Sequence, residues 1–471
     1  MNTPTPLQKL RIKLQELAQR RDWLGRASAF FSKIQKNERI QHNILQAIPF
    51  WSASVIVGLV AVGYAQLFSL AESVSLKLHA VADWSIFIIM PFCMVTAWWL
   101  VRRYAPWARG SGIPQVIAAL ELANEKEHDK VPKLLSIRIV LVKIGSSLLM
   151  ILGGAAIGRE GPTIQISAAI FRKVNAMLPP WWPKVSRRNM ILTGAAAGLA
   201  AAFNTPLGGI VFAVEELSKT HFTRFRTAIF TAVIIAGLAA QGISGSYLYL
   251  GYPQIGQYTL SAFWGVILVA AIGGLAGGAT SKAVLAIFAW KDKFRKVTDH
   301  LLFLLLCAMV MASMIYFVSA EAMGSGKEIM NTTLFTANKR VEWYLPIVRI
   351  VGPISSFTTG ASGGIFAPGL SAGASIGATV AGWFDLNGPN SNLMIVAGMV
   401  AFLTGITRSP FTSAILVLEM TDRHSLIFHL MVAGMVANIF AYFVERKSLY
   451  ENLKDRFLKE LQPQSDNESG A

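Results

Sequence analysis

Eight stretches of this chain contain no Asp, Glu, Lys or Arg at all. They run from Ile40 to Ala71, Trp84 to Val101, Asn189 to Val214, Thr227 to Ser281, His300 to Ala320, Ile350 to Phe384, Leu386 to Thr407 and Ser425 to Val444. A helix of about 20 apolar residues crosses the hydrocarbon core of a bilayer, and segments of this kind cannot form a water-facing surface. Only 15% of the 471 residues are charged, against about 25% in a soluble globular chain. Soluble, disordered and coiled-coil architectures are therefore excluded. Cys93 and Cys307 lie inside apolar runs, which leaves no disulfide framework and no cysteine metal site. The expected class is an all-α polytopic membrane protein, with the longer intervals holding two segments each.

Some intervals are too broken to span simply. Gly153, Gly154, Gly158, Gly161 and Pro162 interrupt one apolar region, and Gly360, Gly363, Gly364, Pro368 and Gly369 interrupt another. Irregular backbone at membrane depth is tolerated only where protein buries it or an aqueous cavity runs beside it, so these breaks mark a transport path. The 43 basic residues against 26 acidic ones, net +17, would point to nucleic acid in a soluble protein. Here they concentrate outside the apolar intervals, and no nucleic-acid partner is expected. Residues 1–40 carry nine Lys or Arg against Glu16, Asp22 and Glu38. Leu7, Leu10, Leu14 and Leu17 recur there at helical spacing, which predicts a basic amphipathic segment over residues 1–45 on the inner membrane face. Basic loops stay in the cytoplasm; Arg102, Arg103 and Arg109 agree, and both termini are expected there. No secretory signal is read at the start, and the polar stretch from Gln462 to Ala471 is expected to be disordered.

The two interruptions align with one another. Gly154-Ala-Ala-Ile-Gly158-Arg-Glu-Gly-Pro162 superposes without a gap on Gly360-Ala-Ser-Gly-Gly364-Ile-Phe-Ala-Pro368, and Gly194, Pro206, Leu207 and Glu215 match Gly398, Pro410, Phe411 and Glu419. The offsets, 206 and 204 residues, hold the register. The chain thus reads as two homologous transmembrane repeats, 46–245 and 246–445, of inverted topology, followed by a cytoplasmic helix and tail over 446–471. Transporters of this plan bind substrate at the repeat interface, at their broken helices.

Three segments share one design, glycine followed by a turn and a proline entering a helix. They are Gly110-Ser111-Gly112-Ile113-Pro114, Gly158-Arg159-Glu160-Gly161-Pro162 and Gly364-Ile365-Phe366-Ala367-Pro368. Proline near the first helical position sacrifices no amide, and glycine lets a ligand approach the backbone. The free N–H groups and positive dipole end of a helix start form a site for a small anion. Three converging starts, broken and re-entrant at the membrane midplane, would hold a halide without the full charge that would trap it.

Glu160 stands where such an anion would sit. Ionised, it competes with the transported ion; protonated, it moves aside, which makes it both gate and proton carrier. The bland alternative is a salt bridge to Arg159. Glu215 and Glu216 follow the apolar run that starts at Pro206, either as solvated carboxylates at the rim or as an inner proton acceptor. Lys143 precedes the second motif, either raising the local positive potential or forming a structural ion pair. His42, His128 and His424 read as interfacial, and no nucleotide loop, nucleophile elbow or zinc motif is present.

These motifs, with their glutamate and proline spacing, closely resemble the CLC family of chloride channels and proton-coupled chloride transporters over about Ile48 to Tyr450. The resemblance implies a homodimer with one pore per subunit. It implies that Ser111 and Tyr450 are hydroxyl donors to chloride, and that Ile365 and Phe366 are backbone donors. It makes Glu160 the external gating glutamate and Glu216 the internal proton glutamate of the exchangers. The expected chloride-binding set is Ser111, Gly112, Ile113, Arg159, Gly161, Ile365, Phe366 and Tyr450, with chloride as substrate and no cofactor or metal. Serine at position 111 favours chloride over nitrate or fluoride. Gln115, Val116 and Ile117 depart from the acidic pattern common after the first motif and leave the inner vestibule less negative. No paired C-terminal regulatory domains are expected, as in prokaryotic members at the inner membrane. The function expected is exchange of chloride for protons; a passive pH-gated chloride channel is the alternative, and an enzyme lacks the residues it would need.

Overall fold

A computed structural model of the chain describes residues 38–218, 226–245, 248–255, 260–336, 339, 341–386 and 388–462. The amphipathic segment expected around Leu7–Leu17 and the polar tail after Gln462 lie outside these residues. The first half contributes α1 (Glu38–Val81), α2 (Ile86–Tyr104), α3 (Ile113–Leu122), α4 (Ile137–Leu152), α5 (Glu160–Ala176), α6 (Arg187–Phe203), α7 (Pro206–Phe212) and α8 (Arg226–Ser244). The second contributes α9 (Leu260–Lys291), α10 (Val297–Phe317), α11 (Lys327–Phe335), α12 (Leu345–Thr358), α13 (Phe366–Trp383), α14 (Pro389–Thr407), α15 (Pro410–Thr421) and α16 (Ile427–Val444). A final helix, α17 (Leu449–Leu461), follows. Among the described residues there is no β-strand, only two isolated bridges.

Eight of the described helices are long and apolar enough to cross a membrane. Others are not: α3 has 10 residues, α7 seven and α11 nine, and at 1.5 Å per residue each ends inside a 30 Å hydrocarbon layer. Asn189–Val214, Thr227–Ser281 and Ile350–Phe384 each divide into two helices, as their lengths predict. Ile40–Ala71 does not divide, because α1 runs unbroken for 44 residues through Pro49. Small residues bring the central helices into backbone contact, as membrane helix interfaces require. A methyl group on Gly373 of α13, for instance, would strike the Gly398 carbonyl of α14.

The backbone repeats as the sequence does. Gly154 and Gly360 both have positive φ, at 84° and 93°, and Asn204 and Arg408, 204 residues apart, end α6 and α14 at 58° and 61°. The correspondence reaches further than the aligned motifs. Gly110-Ser111-Gly112 before α3 has its counterpart in Gly324-Ser325-Gly326 before α11, both pairs of flanking glycines lying at positive φ. Gly158 and Gly364, equivalent residues, form an antiparallel bridge with both N–H···O distances at 2.8 Å. An exchange of identical bonds between equivalent residues running in opposite directions is the mark of a local two-fold axis. The repeats are inverted.

The glutamates of the second alignment are exchanged in the same way. Glu419 at the end of α15 accepts from the Leu207 and Gly208 amides of α7, at 3.0 and 2.6 Å. Glu215 accepts from the Phe411 and Thr412 amides of α15, at 3.2 and 2.6 Å. Each carboxylate thus caps the start of the other half's helix, where the dipole favours it. Two buried cations are equivalent as well. Lys143 of α4 donates to the Gly110 carbonyl at 2.9 Å, and Arg349 of α12 donates to Ser371 Oγ and to the carbonyls of residues 321–324. The structural ion pair considered for Lys143 is absent among the described residues; a lysine at this depth is satisfied by backbone instead.

Candidate anion and proton site

The three helix starts are stitched together by main-chain bonds. Gly110 N donates to Ala361 O at 2.8 Å and Gly363 N to Gly110 O at 3.2 Å, while Gly158 and Gly364 pair as described. The starts of α3, α5 and α13 therefore share one buried point. None of the three carries a side-chain cap, whereas Ser136, Ser186 and Ser448 cap α4, α6 and α17. Helix starts buried without caps leave amide donors available for a ligand. Ile365 precedes α13 and Phe366 begins it, both fully buried.

Two hydroxyls complete the point. Ser111 Oγ and Tyr450 OH are buried, make no hydrogen bond of normal geometry, and lie within interaction range of each other. A buried hydroxyl without a partner calls for an explanation, and a bound halide accepting from both supplies one. Gly161 is required here, because a Cβ on it would fall on Ser111 Oγ. Gly112, at φ 106°, also leaves no room for a Cβ, which would meet Gln165 and the Gly161 carbonyl. The predicted residues Ser111, Gly112, Ile113, Glu160, Gly161, Ile365, Phe366 and Tyr450 are all buried.

Glu160 is the first residue of α5 and only 1% exposed. Its carboxylate lies against Gly158 and interacts with the Ala367 amide at the start of α13, while Oε2 makes no hydrogen bond of normal geometry. It therefore lies at the repeat interface, beside the start of α13. Arg159 makes no salt bridge with it among the described residues; the Arg159 side chain is half-buried at the edge of the site. Glu216 is not a solvated rim carboxylate. It is 3% exposed, on a π-helical turn (Ala213–Ser218) that continues α7, and accepts from Ser409 Oγ at 2.5 Å. Tyr450 lies in electrostatic range of both Glu160 and Glu216. The two neighbouring glutamates have separate tasks, since Glu215 is the cap of α15. Gln115 donates to the Arg109 carbonyl at 2.6 Å and is consumed in loop structure. No cluster of metal-ligating side chains exists among the described residues.

Cavities lie at both ends of α2. At the arginine end, a cavity of about 240 Å³ is lined by Arg102, Arg109, Lys291 and Arg456 and reaches Gly110 and Ser111. The final helix α17 carries Tyr450 in its first turn and is tied over this cavity by three ion pairs. They are Arg109–Glu460 at 2.6 Å, Arg456–Asp292 at 2.6 Å and Lys454–Glu121 at 2.8 Å. At the other end, where Ile86 meets Gly154, a cavity of about 540 Å³ is lined by Glu72, Gly324, Gly326 and Lys327. There the amide and hydroxyl of Ser325, the counterpart of Ser111, both donate to Glu72, at 2.7 and 2.9 Å. This second Gly-Ser-Gly loop was missed in the sequence; a three-residue match at an offset of 214 was its only signal.

A duplicated, inverted helical scaffold that aims uncapped helix starts and orphan hydroxyls at one buried point defines a membrane protein for ion passage. The chain belongs to the voltage gated chloride channel family, whose pattern matches residues 93–442. It is similar to the H(+)/Cl(-) exchange transporter ClcA of Cronobacter sakazakii, 31% identical over 386 residues and covering 79% of each chain. It is 29% identical over 434 residues to the ClcA transporter of Salmonella paratyphi A, covering 88% of this chain and 89% of the other. Among solved structures it resembles a slow cyanobacterial Cl-/H+ antiporter, with a TM-score of 0.76 and 25% identity over 88% of this chain and 98% of that one. A CLC-type fluoride/proton antiporter shares the fold, with a TM-score of 0.71 and 19% identity over 87% and 97% of the two chains.

Proposed function

We propose that this chain is a secondary active transporter that exchanges chloride for protons. The observation that carries this reading is the Glu160 carboxylate, lodged with no hydrogen bond of normal geometry on Oε2 at the start of α13. Chloride is held by the amides of α3, α5 and α13 and by the Ser111 and Tyr450 hydroxyls. An ionised Glu160 and chloride compete for one position, so chloride arrival favours the protonated carboxyl and its departure from the site. Glu216, screened from water and held by Ser409, is the inner proton donor and acceptor. The similarity to named chloride/proton exchangers supports this reading over a passive pore.

Halves at 46–245 and 246–445 form one pore per subunit, and two copies associate. The arginine-rich ends of α2 and α17 face the cytoplasm, with the protein in the cell's inner membrane and no cofactor. Reconstituted in liposomes, the protein should drive protons uphill when given only a chloride gradient. Chloride flux with no proton movement would make it a passive channel; no chloride flux at all would refute the reading.

A further inference from the structure

We propose that the groove bounded by the start of α1, the α5–α6 loop and the start of α8 binds an anionic glycerophospholipid. Lys184 and Arg187 hold its phosphate, and an acyl chain runs along α1 past Trp51. The inference is independent of which ion the protein moves.

The α5–α6 loop, residues 177–186, reads Met-Leu-Pro-Pro-Trp-Trp-Pro-Lys-Val-Ser. Its three prolines restrict the backbone, and two bonds moor it to α1. Trp182 Nε1 donates to the Leu45 carbonyl at 2.9 Å, and Gln46 Nε2 to the Lys184 carbonyl at 3.2 Å. Trp181, 73% exposed, leans on Trp182 with ring centroids 5.3 Å apart. Exposed tryptophans beside a membrane span settle at headgroup depth. Residues 82–85 alone separate α1 from α2, so the two cross in opposite senses and the start of α1 lies on the side of the α2 arginines.

A cavity of about 1200 Å³ opens between the loop and α1, lined by Asn43, Gln46, Trp51, Lys184 and Arg187, with Thr231 of α8 on the far wall. From Asn43 to Trp51 the helix rises about 12 Å. The groove thus passes from cationic to amide-lined to aromatic along the bilayer normal. A phospholipid changes in the same order, from phosphate to ester to chain.

The charges are arranged for an anion. Lys184, Arg187 and Arg188 crowd the start of α6, whose first turn has no acidic residue. Cations are disfavoured at the positive end of a helix dipole, and a phosphate placed there is attracted by both. Among the described residues Lys184 and Arg187 have no ion-pair partner. Glu125 is the one acidic residue on this cavity's wall. Arg187 also lines an adjoining cavity of about 460 Å³ with His128, Asp129 and Arg172; Arg172 is spent on the Leu135 carbonyl, at 2.5 Å. A guanidinium suits paired phosphate oxygens. Residues 1–37 carry eight Lys or Arg against Glu16 and Asp22, so like charge disfavours that segment as the occupant and favours a lipid phosphate.

The test is native mass spectrometry of the full-length protein in detergent, titrated with phosphatidylglycerol or with phosphatidylcholine of equal chain length. Phosphatidylglycerol should give a saturable adduct of one lipid per chain and raise the thermal unfolding midpoint; phosphatidylcholine should bind at least about fivefold more weakly. Lys184→Gln combined with Arg187→Gln should weaken phosphatidylglycerol about tenfold at low ionic strength, less at high, and remove the lipid's effect on unfolding. Both side chains are exposed, so the lipid-free midpoint should stay as in the parent; if the double variant is nonetheless unstable, Lys184→Gln alone should weaken binding about threefold. Lys133→Gln, the same loss of charge at an exposed residue lining neither cavity, should leave lipid binding unchanged. Inorganic phosphate should neither displace the lipid nor raise the midpoint. Equal binding of the two lipids, equal loss in Lys133→Gln, no loss in the Lys184 and Arg187 variants, or reproduction of the effect by inorganic phosphate overturns the proposal.

Discussion

Glu160 stands at the position that Phe366 occupies in the other half, and Glu216 at the position of Met420. The proposed chemistry is thus concentrated where equivalent residues differ, while equivalent glycines, prolines and the exchanged Glu215 and Glu419 build the frame. Glu160→Gln should keep chloride flux while proton movement falls to background and the pH dependence of flux disappears, as read in the liposome assay. Gly161→Ala should place a methyl group on Ser111 Oγ, costing about 1–3 kcal/mol of stability, measured by thermal unfolding, and lowering chloride flux with it. The buried placement of Glu160 was legible because a carboxylate inside a helix-start motif is chemically out of place. The task of Glu215 was not legible: its partners are amides of Phe411 and Thr412, nearly 200 residues away, and a sequence displays side chains, not free amides. Lys143 was opaque for the same reason, since its partner is a carbonyl.

At the level of helices, the crossed caps of α7 and α15 are the clearest device. Each glutamate accepts two amides at a helix start, a charge-assisted arrangement. Glu419→Gln and Glu215→Gln should each cost about 1–2 kcal/mol, seen as a lowered unfolding midpoint, with the proton-to-chloride ratio unaltered. The tie between α17 and Arg109 is of another kind. Arg109 and Glu460 are 35% and 40% exposed, and pairs of that exposure contribute about 0–1 kcal/mol. Glu460→Gln should accordingly leave the unfolding midpoint nearly unmoved. Apolar interval lengths revealed the split helices and motif spacing revealed the three starts, since both are written in consecutive residues. The unbroken α1 contradicted interval length, because length sets a minimum for a span and no maximum. The pairing of α3 with α11 was hidden because Ile113-Pro114 is replaced by Lys327-Glu328, which keeps the backbone and changes the chemistry.

The whole molecule is two halves that complete each other's backbone at its centre. Cutting the chain between Ser244 and Leu260 should give fragments that restore chloride flux only when produced together; flux from either fragment alone would contradict the shared site. The Gly158–Gly364 bridge also sets a schedule. When the ribosome has finished α5, at Ala176, the partner of Gly158 is still 188 residues from being made, about 10 to 40 s at ordinary synthesis rates. Through that interval the leading amides of α5 face a lipid environment in which each unmet group costs several kcal/mol. The newborn first half must therefore be held in water or by the insertion machinery until the second arrives, and biogenesis of this protein is governed by waiting as much as by folding.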